Sequence, residues 1–273
     1  MRSSSLHITY VGGPTALIEI GNLRLLTDPT FDPAGREYRT TAYSLHKLQG
    51  PAIPLDSLGR IDAVLLSHDH HFDNLDDSGR RLLPKAGRVL TTEAGAARLG
   101  GRAEGLAPWQ STDVPTGDGS ALRITATPAR HGPAQADRGP VIGFVLASLT
   151  APESAIYLSG DTVWYEGVAE VALRFPVTIA LLFMGAARVA AAGPWHLTFT
   201  GAEGVEAARA FGGATIVPLH FEGWAHFTET RVDIDRAFRE AELGHRLLGL
   251  QAGVPTALPW SSPDLHPGQP NPC

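Results

Sequence analysis

The segment from Ala63 to Asn74 joins a short apolar run to a dense group of imidazole and carboxylate side chains. The run Ala63-Val64-Leu65-Leu66 is typical of a buried strand, and Ser67-His68-Asp69-His70-His71-Phe72-Asp73-Asn74 follows it directly. A strand that ends in such groups places them at the edge of a sheet, where they can converge on one metal ion. A solvated polar loop is the alternative, but three of the 11 histidines in 273 residues fall here, which favours metal binding.

Three more potential ligands stand at the ends of other apolar runs. They are His131 after residues 124–130, Asp161 after residues 155–160, and His220 after residues 214–219. Taken singly, a histidine after a strand is more often structural, and an aspartate in a Ser-Gly-Asp-Thr turn more often caps a helix. Together with the loop at 67–74, they predict one site assembled at the ends of several strands.

The order of these motifs resembles the metallo-β-lactamase fold superfamily, from about residue 7 to about residue 250. That superfamily has an early hairpin ending in an Asp-Pro turn, as in Leu25-Leu26-Thr27-Asp28-Pro29, then a His-x-His-x-Asp-His loop, a later His, an Asp after a Gly, and a last His. Thr27-Asp28-Pro29, Ser159-Gly160-Asp161-Thr162 and Val217-Pro218-Leu219-His220 look most like the branch that contains L-ascorbate-6-phosphate lactonase and N-acyl-phosphatidylethanolamine phospholipase D. The resemblance implies an α/β (α+β) fold, a four-layer αββα sandwich, and a metal-dependent hydrolase.

The histidine-rich loop departs from the family pattern by one residue. When the family pattern is counted forward from the strand, its first two histidines are His68 and His70. When it is counted back from Asp73, its second histidine is His71, and Asn74 stands where the family has its third histidine. We expect His68 and His71 to be the ligands, with the extra residue absorbed between them and His70 as a neighbour. The pair His68 and His70 remains an alternative, because both side chains would share one face of an extended segment.

The resemblance implies two groups of ligands around one or two divalent transition metal ions, with Zn²⁺ expected first and Mn²⁺ or Fe²⁺ as alternatives. The first ion would be held by His68, His71 and His131, with Asp161 bridging; Asp73, Asp161 and His220 would remain for the second. Because an amide oxygen is a weak ligand for a transition metal, Asn74 weakens the second subsite. We therefore expect one tight ion, or a tight and a loose one. The family turn Gly-His-Ala-Thr is also changed here, to Gly12-Gly13-Pro14-Thr15.

Asp73 and Asp161 are the candidate catalytic residues, since either carboxylate can accept a hydrogen bond from the attacking water, and we expect Asp73 to orient it. Arg130 and His226 are candidate substrate contacts. Arg130 adjoins His131 and can pair with an anionic group, or it can form an ordinary salt bridge. His226 lies in an aromatic loop after the last ligand strand, where it can line the site or pack locally.

The chain shows no linker that would divide it. We predict a single domain over residues 1–258 and a disordered Pro-rich tail over 259–273. Helical patterns occur near 76–83, 93–99, 164–174, 201–211 and 233–243. Thr200-Gly201-Ala202-Glu203 has the spacing of a capping box, so His196 is expected to precede a helix rather than to face the substrate.

Charge and composition exclude several partners. The net charge of −6 and the pI of about 6.0 weigh against the nuclease members of the superfamily, which need a basic surface. No basic amphipathic segment or long apolar run points to a membrane, and the single cysteine excludes an internal disulfide. We expect a small-molecule substrate, no nucleic acid or membrane partner, and a cytoplasmic location; a homo-oligomer stays open.

Two functions other than hydrolysis remain compatible with the sequence. One is a lapsed member of the superfamily that binds metal weakly and serves as a binding or structural protein. The other is an oxygen- or redox-active diiron member, which normally carries more carboxylate ligands and often an electron-carrier domain. The number of metal ions per chain separates the first rival from the hydrolase.

Overall fold

The computed structural model describes residues 6–40, 43–116 and 120–260, which form two large β-sheets and a small hairpin. The strands are β1 (Leu6–Gly12), β2 (Thr15–Ile20), β3 (Leu23–Thr27), β4 (Glu37–Arg39), β5 (Ser44–His46), β6 (Ala63–Leu65), β7 (Arg88–Thr92), β8 (Ala103–Leu106), β9 (Ser111–Pro115), β10 (Ala121–Pro128), β11 (Ile142–Ser148), β12 (Ala155–Leu158), β13 (Val177–Phe183), β14 (Thr215–Leu219) and β15 (Thr256–Leu258). One sheet has the order β15-β1-β2-β3-β6-β7-β8, the other β14-β13-β12-β11-β10-β9, and β4 pairs with β5. In the first of these sheets the neighbours from β15 to β3 pair antiparallel and those from β3 to β8 pair parallel. In the second, the neighbours from β9 to β12 pair antiparallel and those from β12 to β14 pair parallel.

The helices cover the outer faces of the two sheets. They are α1 (Asp77–Leu82), α2 (Glu93–Leu99), α3 (Glu166–Arg174), α4 (Gly201–Ala210) and α5 (Arg231–Glu240). All five coincide, within a few residues, with the helical patterns predicted from the sequence. Thr200 and Glu203 form the predicted capping box at the start of α4. The αββα sandwich and its fold class are therefore confirmed.

Three apolar layers hold the sandwich together. Between the sheets, alternate residues such as Leu6, Ile8 and Tyr10 of β1 pack against side chains of the second sheet, including Phe144 and Leu158. The outer face of the second sheet packs on α3, α4 and α5, and the outer face of the first packs on α1 and the segments around it. Because the strands are buried on both faces, the positions of their ends are fixed by the core.

The predicted site residues follow strand ends that meet at one edge of the sandwich. β6 leads to His68, β10 to His131, β12 to Asp161 and β14 to His220. Two backbone hydrogen bonds join the sheets at this edge, from Ile142 N to Ser67 O (3.1 Å) and from His220 N to Gly13 O (2.8 Å). Gly160 permits the close approach there, since a Cβ at this residue would lie 2.8 Å from Ser67 Cβ, which follows β6 of the other sheet.

The hairpin β4–β5 lies beside this edge and is fixed by a buried ion pair. Lys47 Nζ, directly after β5, is 2.8 Å from Asp76 Oδ2, and both side chains are almost fully buried. Lys47 also lies 5.2 Å from the ring centre of Trp224, in the loop after β14. The hairpin and the loop after β14 therefore form one wall of the edge.

No helix in the described ranges is long and apolar enough to cross a membrane. β15 pairs with β1, and Trp260, just beyond the predicted domain boundary at residue 258, is buried against the central core. The boundary stays a prediction, and residues 261–273 of the predicted tail lie outside the described residues.

Candidate metal centre

His68 is oriented through its outer ring nitrogen. Ser67 donates its backbone N–H and its hydroxyl to the two carboxylate oxygens of Asp28, each at 2.6 Å. Because that hydroxyl proton points to Asp28, the Ser67 oxygen is left to accept a hydrogen bond from His68 Nδ1, 2.9 Å away. His68 therefore carries its proton on Nδ1 and turns the lone pair of Nε2 inwards, as a metal ligand requires.

His131 is oriented in the same way and meets His71. His131 Nδ1 lies 2.9 Å from the carbonyl oxygen of Leu197, which can only accept, so the free lone pair is on Nε2. His71 Nδ1 lies 2.9 Å from His68 Nε2 and 3.1 Å from His131 Nε2. His71 Nδ1 carries at most one proton, which cannot serve the lone pairs of both His68 Nε2 and His131 Nε2. The convergence of these three ring nitrogens therefore suits a cation among them.

Burial keeps the rings of His68 and His71 in the neutral form that binds metal. It lowers the pKa of His71 to about 3, with the neighbouring His131 acting in the same direction. Burial, followed by the charge of His71, also lowers the pKa of His68 well below its ordinary value. The rings therefore need no deprotonation before they accept an ion.

Asp161 closes this group from the second sheet. Its Oδ2 is 3.4 Å from His131 Nε2 and 4.0 Å from His68 Nε2. This buried oxygen has no hydrogen-bond partner among the described residues. The ligand atoms of His68, His131 and Asp161 all lie within 4.8 Å of one another. An unpaired buried carboxylate oxygen facing neutral imidazoles fits a divalent metal ion.

His70 lies beside the group but is held by other contacts. Its Nε2 donates to the carbonyl oxygen of Arg138 at 3.0 Å, and its Nδ1 lies 3.9 Å from Asp69. A ligand atom of His70 is near enough to those of His68 and His71 to share an ion. However, only His71 bridges His68 and His131 in this way, so the geometry favours His71 as the second histidine of the loop.

The other half of the centre surrounds Asp73. His220 Nδ1 lies 3.0 Å from Asp161 Oδ1, and its Nε2, which has no hydrogen-bond partner within the described ranges, lies 3.5 Å from Asp73 Oδ2. His226 Nε2 is 3.0 Å from the same oxygen of Asp73. Burial alone would lower the pKa of His220, but the carboxylates of Asp161 and Asp73 outweigh it and raise this pKa to about 10. The same negative field attracts a metal cation.

Asn74 turns away from this half of the centre. Its Nδ2 donates to Asp28 Oδ2 at 3.0 Å and to Asp161 Oδ1 at 3.3 Å. Its Oδ1 is buried and has no partner in the part of the chain that the structure describes. Asn74 thus holds two carboxylates in place, one of which, Asp28, has its pKa raised by burial to about 7. The sequence showed the loss of a histidine here but not this contact with Asp28.

A cleft with about 310 Å³ of empty space opens beside both halves. Its lining includes His71, Asp73, His131 and His226 from the centre, and Tyr43, Leu45, Arg138, Ala187, Val189 and Leu197 around them. One side is apolar, and the other carries a phenol, a guanidinium and an imidazole. Tyr43 and Arg138 were not predicted as site residues, because neither stands at the end of an apolar run. The only available signal was the position of Arg138 in the Pro/Gly-rich loop after His131.

Arg130 and His196 are directed elsewhere. The guanidinium carbon of Arg130 lies 4.4 Å from the ring centre of Tyr165, and Nη1 is 3.8 Å from Glu166, so Arg130 does not line the cleft. This placement favours the salt-bridge interpretation over contact with a substrate. His196 Nε2 lies 2.9 Å from Glu203 Oε2, next to the capping box of α4. Of the two predicted substrate contacts, only His226 faces the cleft.

The family model for the beta-lactamase superfamily domain matches residues 23–221, well over half of the chain. The chain therefore belongs to the β-lactamase superfamily, and its predicted metallo-β-lactamase fold is confirmed. The matched segment contains the histidine-rich loop, His131, Asp161 and His220. His226 lies beyond it.

Relatives in this superfamily are named as hydrolases. A UPF0173 metal-dependent hydrolase of Pyrobaculum aerophilum is 25% identical over 221 residues, which is 79% of this chain and 84% of the relative. The UPF0173 protein YddR of Bacillus subtilis is 25% identical over 89% of this chain and 96% of its own length. The crystal structure of an isothiocyanate hydrolase from Delia radicum gut bacteria has a TM-score of 0.78 at 23% identity, covering 92% of this chain and 99% of that one. The predicted class of enzyme agrees with these names.

Proposed function

We propose that this metal-dependent hydrolase of the β-lactamase superfamily cleaves a small-molecule ester, lactone or phosphodiester in the cleft beside Asp73. The observation that carries the proposal is the convergence of three imidazoles and an unpaired carboxylate oxygen beside that cleft. His68, His71, His131 and Asp161 would hold one ion, and Asp73, Asp161 and His220 would contribute to a second. Zn²⁺ is the ion we expect first, because nitrogen ligands predominate in the first group.

A bound ion of this kind supplies a water molecule whose pKa is lowered from about 15.7 to about 7, and a positive charge next to the bond under attack. Asp73 accepts a hydrogen bond from the attacking water and orients it towards the cleft. His226, 3.0 Å from Asp73, fixes the position of that carboxylate. The deep burial of the ligand groups keeps bulk water from competing for their lone pairs.

The cleft suits a compact substrate with an apolar part. Leu45, Val189 and Leu197 offer apolar surface, and Arg138 can donate hydrogen bonds to an oxygen or anionic group of the substrate. The Tyr43 hydroxyl donates to His70 O at 3.1 Å and can accept a hydrogen bond from the substrate. The net charge of −6 agrees with the absence of nucleic acid among the substrates that we propose.

The test combines metal analysis with a substrate panel. Protein purified without chelator is analysed for Zn, Mn and Fe per chain, then assayed on short-chain aryl esters, lactones, phosphodiesters and, because of the structural neighbour's name, isothiocyanates. We expect one or two equivalents of metal and turnover that disappears with chelator and returns with metal. Protein that binds no metal after supplementation would instead support the lapsed, non-catalytic protein.

A further inference from the structure

We propose that His226 is a ligand of the second metal ion and takes the place of the histidine that Asn74 has replaced in the loop. This inference rests on the proposed function, because it presumes that the centre binds metal. In the superfamily pattern this histidine ligand belongs to the histidine-rich loop. The proposal assigns it to the loop after β14. Asp73, Asp161, His220 and His226 would then make up the second subsite.

Asn74 itself is committed to other partners. Its amide nitrogen lies between Asp28 and Asp161, at 3.0 Å and 3.3 Å, so its donor side faces two carboxylates. Only the weak ligand atom, Oδ1, is left. Without another residue, two carboxylates and one imidazole would have to hold the second ion.

His226 reaches the same carboxylate oxygen as the predicted ligand His220. The distances to Asp73 Oδ2 are 3.0 Å for His226 Nε2 and 3.5 Å for His220 Nε2. Two ligands of one tetrahedral Zn²⁺ ion, each at about 2.1 Å, lie roughly 3.4 Å apart, so each histidine is near enough to Asp73 to share an ion with that carboxylate.

The polar contact of His226 is made through Nε2, 3.0 Å from Asp73 Oδ2. Nδ1 is buried and has no hydrogen-bond partner in the described part of the chain. The ring of His226 is held instead by Phe227, whose ring centre lies 4.6 Å away.

The backbone on both sides of His226 is fixed, as a ligand position requires. Ala225 N donates to His46 O at 3.0 Å, and Arg188 N donates to His226 O at 2.9 Å. The first of these bonds ties the loop to β5, and the buried pair of Lys47 and Asp76 follows directly. The ring of His226 is thus presented to Asp73 by a rigid frame.

The test measures bound metal rather than activity. Wild type, His226→Ala and His226→Gln are equilibrated with buffered Zn²⁺, and the equivalents per chain and the Kd of each are determined. We expect two equivalents in wild type and one in each variant, or a second Kd raised by at least about 100-fold, beyond what loss of an outer hydrogen bond costs. His245→Ala removes an exposed imidazole on the far segment 244–246 and serves as the matched control.

His226→Gln separates the ligand role from a hydrogen-bonding role. Glutamine keeps an N–H donor for Asp73 but is a weak metal ligand. A second equivalent bound by His226→Gln with unchanged Kd would overturn the inference and leave His226 as a residue that positions Asp73. A wild type that binds one equivalent at most would overturn the second subsite while leaving a one-metal hydrolase possible, and a wild type that binds none would overturn the proposed function itself. In the His226→Ala background, Asn74→His is expected to restore the second equivalent.

Discussion

In the first half of the metal centre, His68 and His131 each donate through Nδ1 to a fixed acceptor, whereas in the second half His226 has an unpaired Nδ1. The first half is built from two strand ends of the second sheet and from the histidine-rich loop. The second half combines Asp73 with two residues that follow β14, around an asparagine that points away. Asp161 belongs to both halves.

This difference suggests that outer hydrogen bonds, and not only the ligands, set the order in which ions bind. An imidazole whose tautomer and direction are already fixed loses little entropy on binding, so the first half is preorganised. In the second half the ion must enter between His226 Nε2 and Asp73 Oδ2, which lie 3.0 Å apart. We therefore expect a tight ion in the first half and a looser one in the second.

The largest expected effect removes the residue shared by both halves. Asp161→Ala should lose the metal of both subsites and lower kcat/KM by at least about 1,000-fold, equivalent to about 4 kcal/mol. Metal analysis and steady-state assays on the same preparation check this. Full activity with bound metal would show that Asp161 does not bridge the two halves.

A chelator titration tests the comparison directly. Increasing concentrations of a zinc chelator should remove the looser ion first, with a Kd about 10-fold to 100-fold weaker than that of the other ion. His220→Ala should abolish only the step at low chelator, whereas His131→Ala should abolish the step at high chelator. A single step for both ions in wild type would contradict the difference between the halves.

Ser67→Ala tests the outer hydrogen bonds of the first half. It removes the acceptor for His68 Nδ1, 2.9 Å away, without touching a ligand atom. We expect the Kd of the tight ion to rise about 10-fold to 100-fold while the Kd of the looser ion changes little. Ser57→Ala, at an exposed position far from the centre, is the control. Equal weakening of both ions would indicate a general loss of structure instead.

The smallest effect concerns the pH dependence of the metal-free protein. Burial raises the pKa of Asp28 to about 7 from a value of 3.8. The stability that protonated Asp28 contributes is therefore complete below about pH 4 and is lost as the pH rises through about 7. Relative to Asp28→Asn, wild type should lose stability over this window, as measured by urea unfolding at several pH values. A pH-independent difference would place the pKa of Asp28 near its ordinary value.

Much of the fold was predictable from the sequence because strand and helix patterns are local. The helices at 93–99 and 201–210 follow from apolar spacing and from Thr200, and the sandwich of two sheets follows from the resemblance to the superfamily. The register of the histidine-rich loop was open, because two histidines compete for one position over a few residues. Their surroundings distinguish them: His70 is held by Arg138, and His71 faces His131.

The surroundings of the ligands could not be predicted, since they join distant parts of the chain. The contact between Asn74 and Asp28, and the cleft residues Tyr43 and Arg138, depend on how the two sheets and the hairpin pack. Arg130 shows how two interpretations left open by the sequence are told apart by packing. Its position next to His131 in the sequence suggested the cleft, but its side chain extends towards Tyr165.

The wide separation of the metal ligands along the chain has a consequence for folding. His68 lies in the first sheet and His220 follows the last strand of the second, so neither half of the centre exists until both sheets have docked. Such long-range contacts form late and slowly. An added metal ion should therefore slow unfolding more than it speeds refolding, and the ion would act as a latch on the finished sandwich rather than as a nucleus for it.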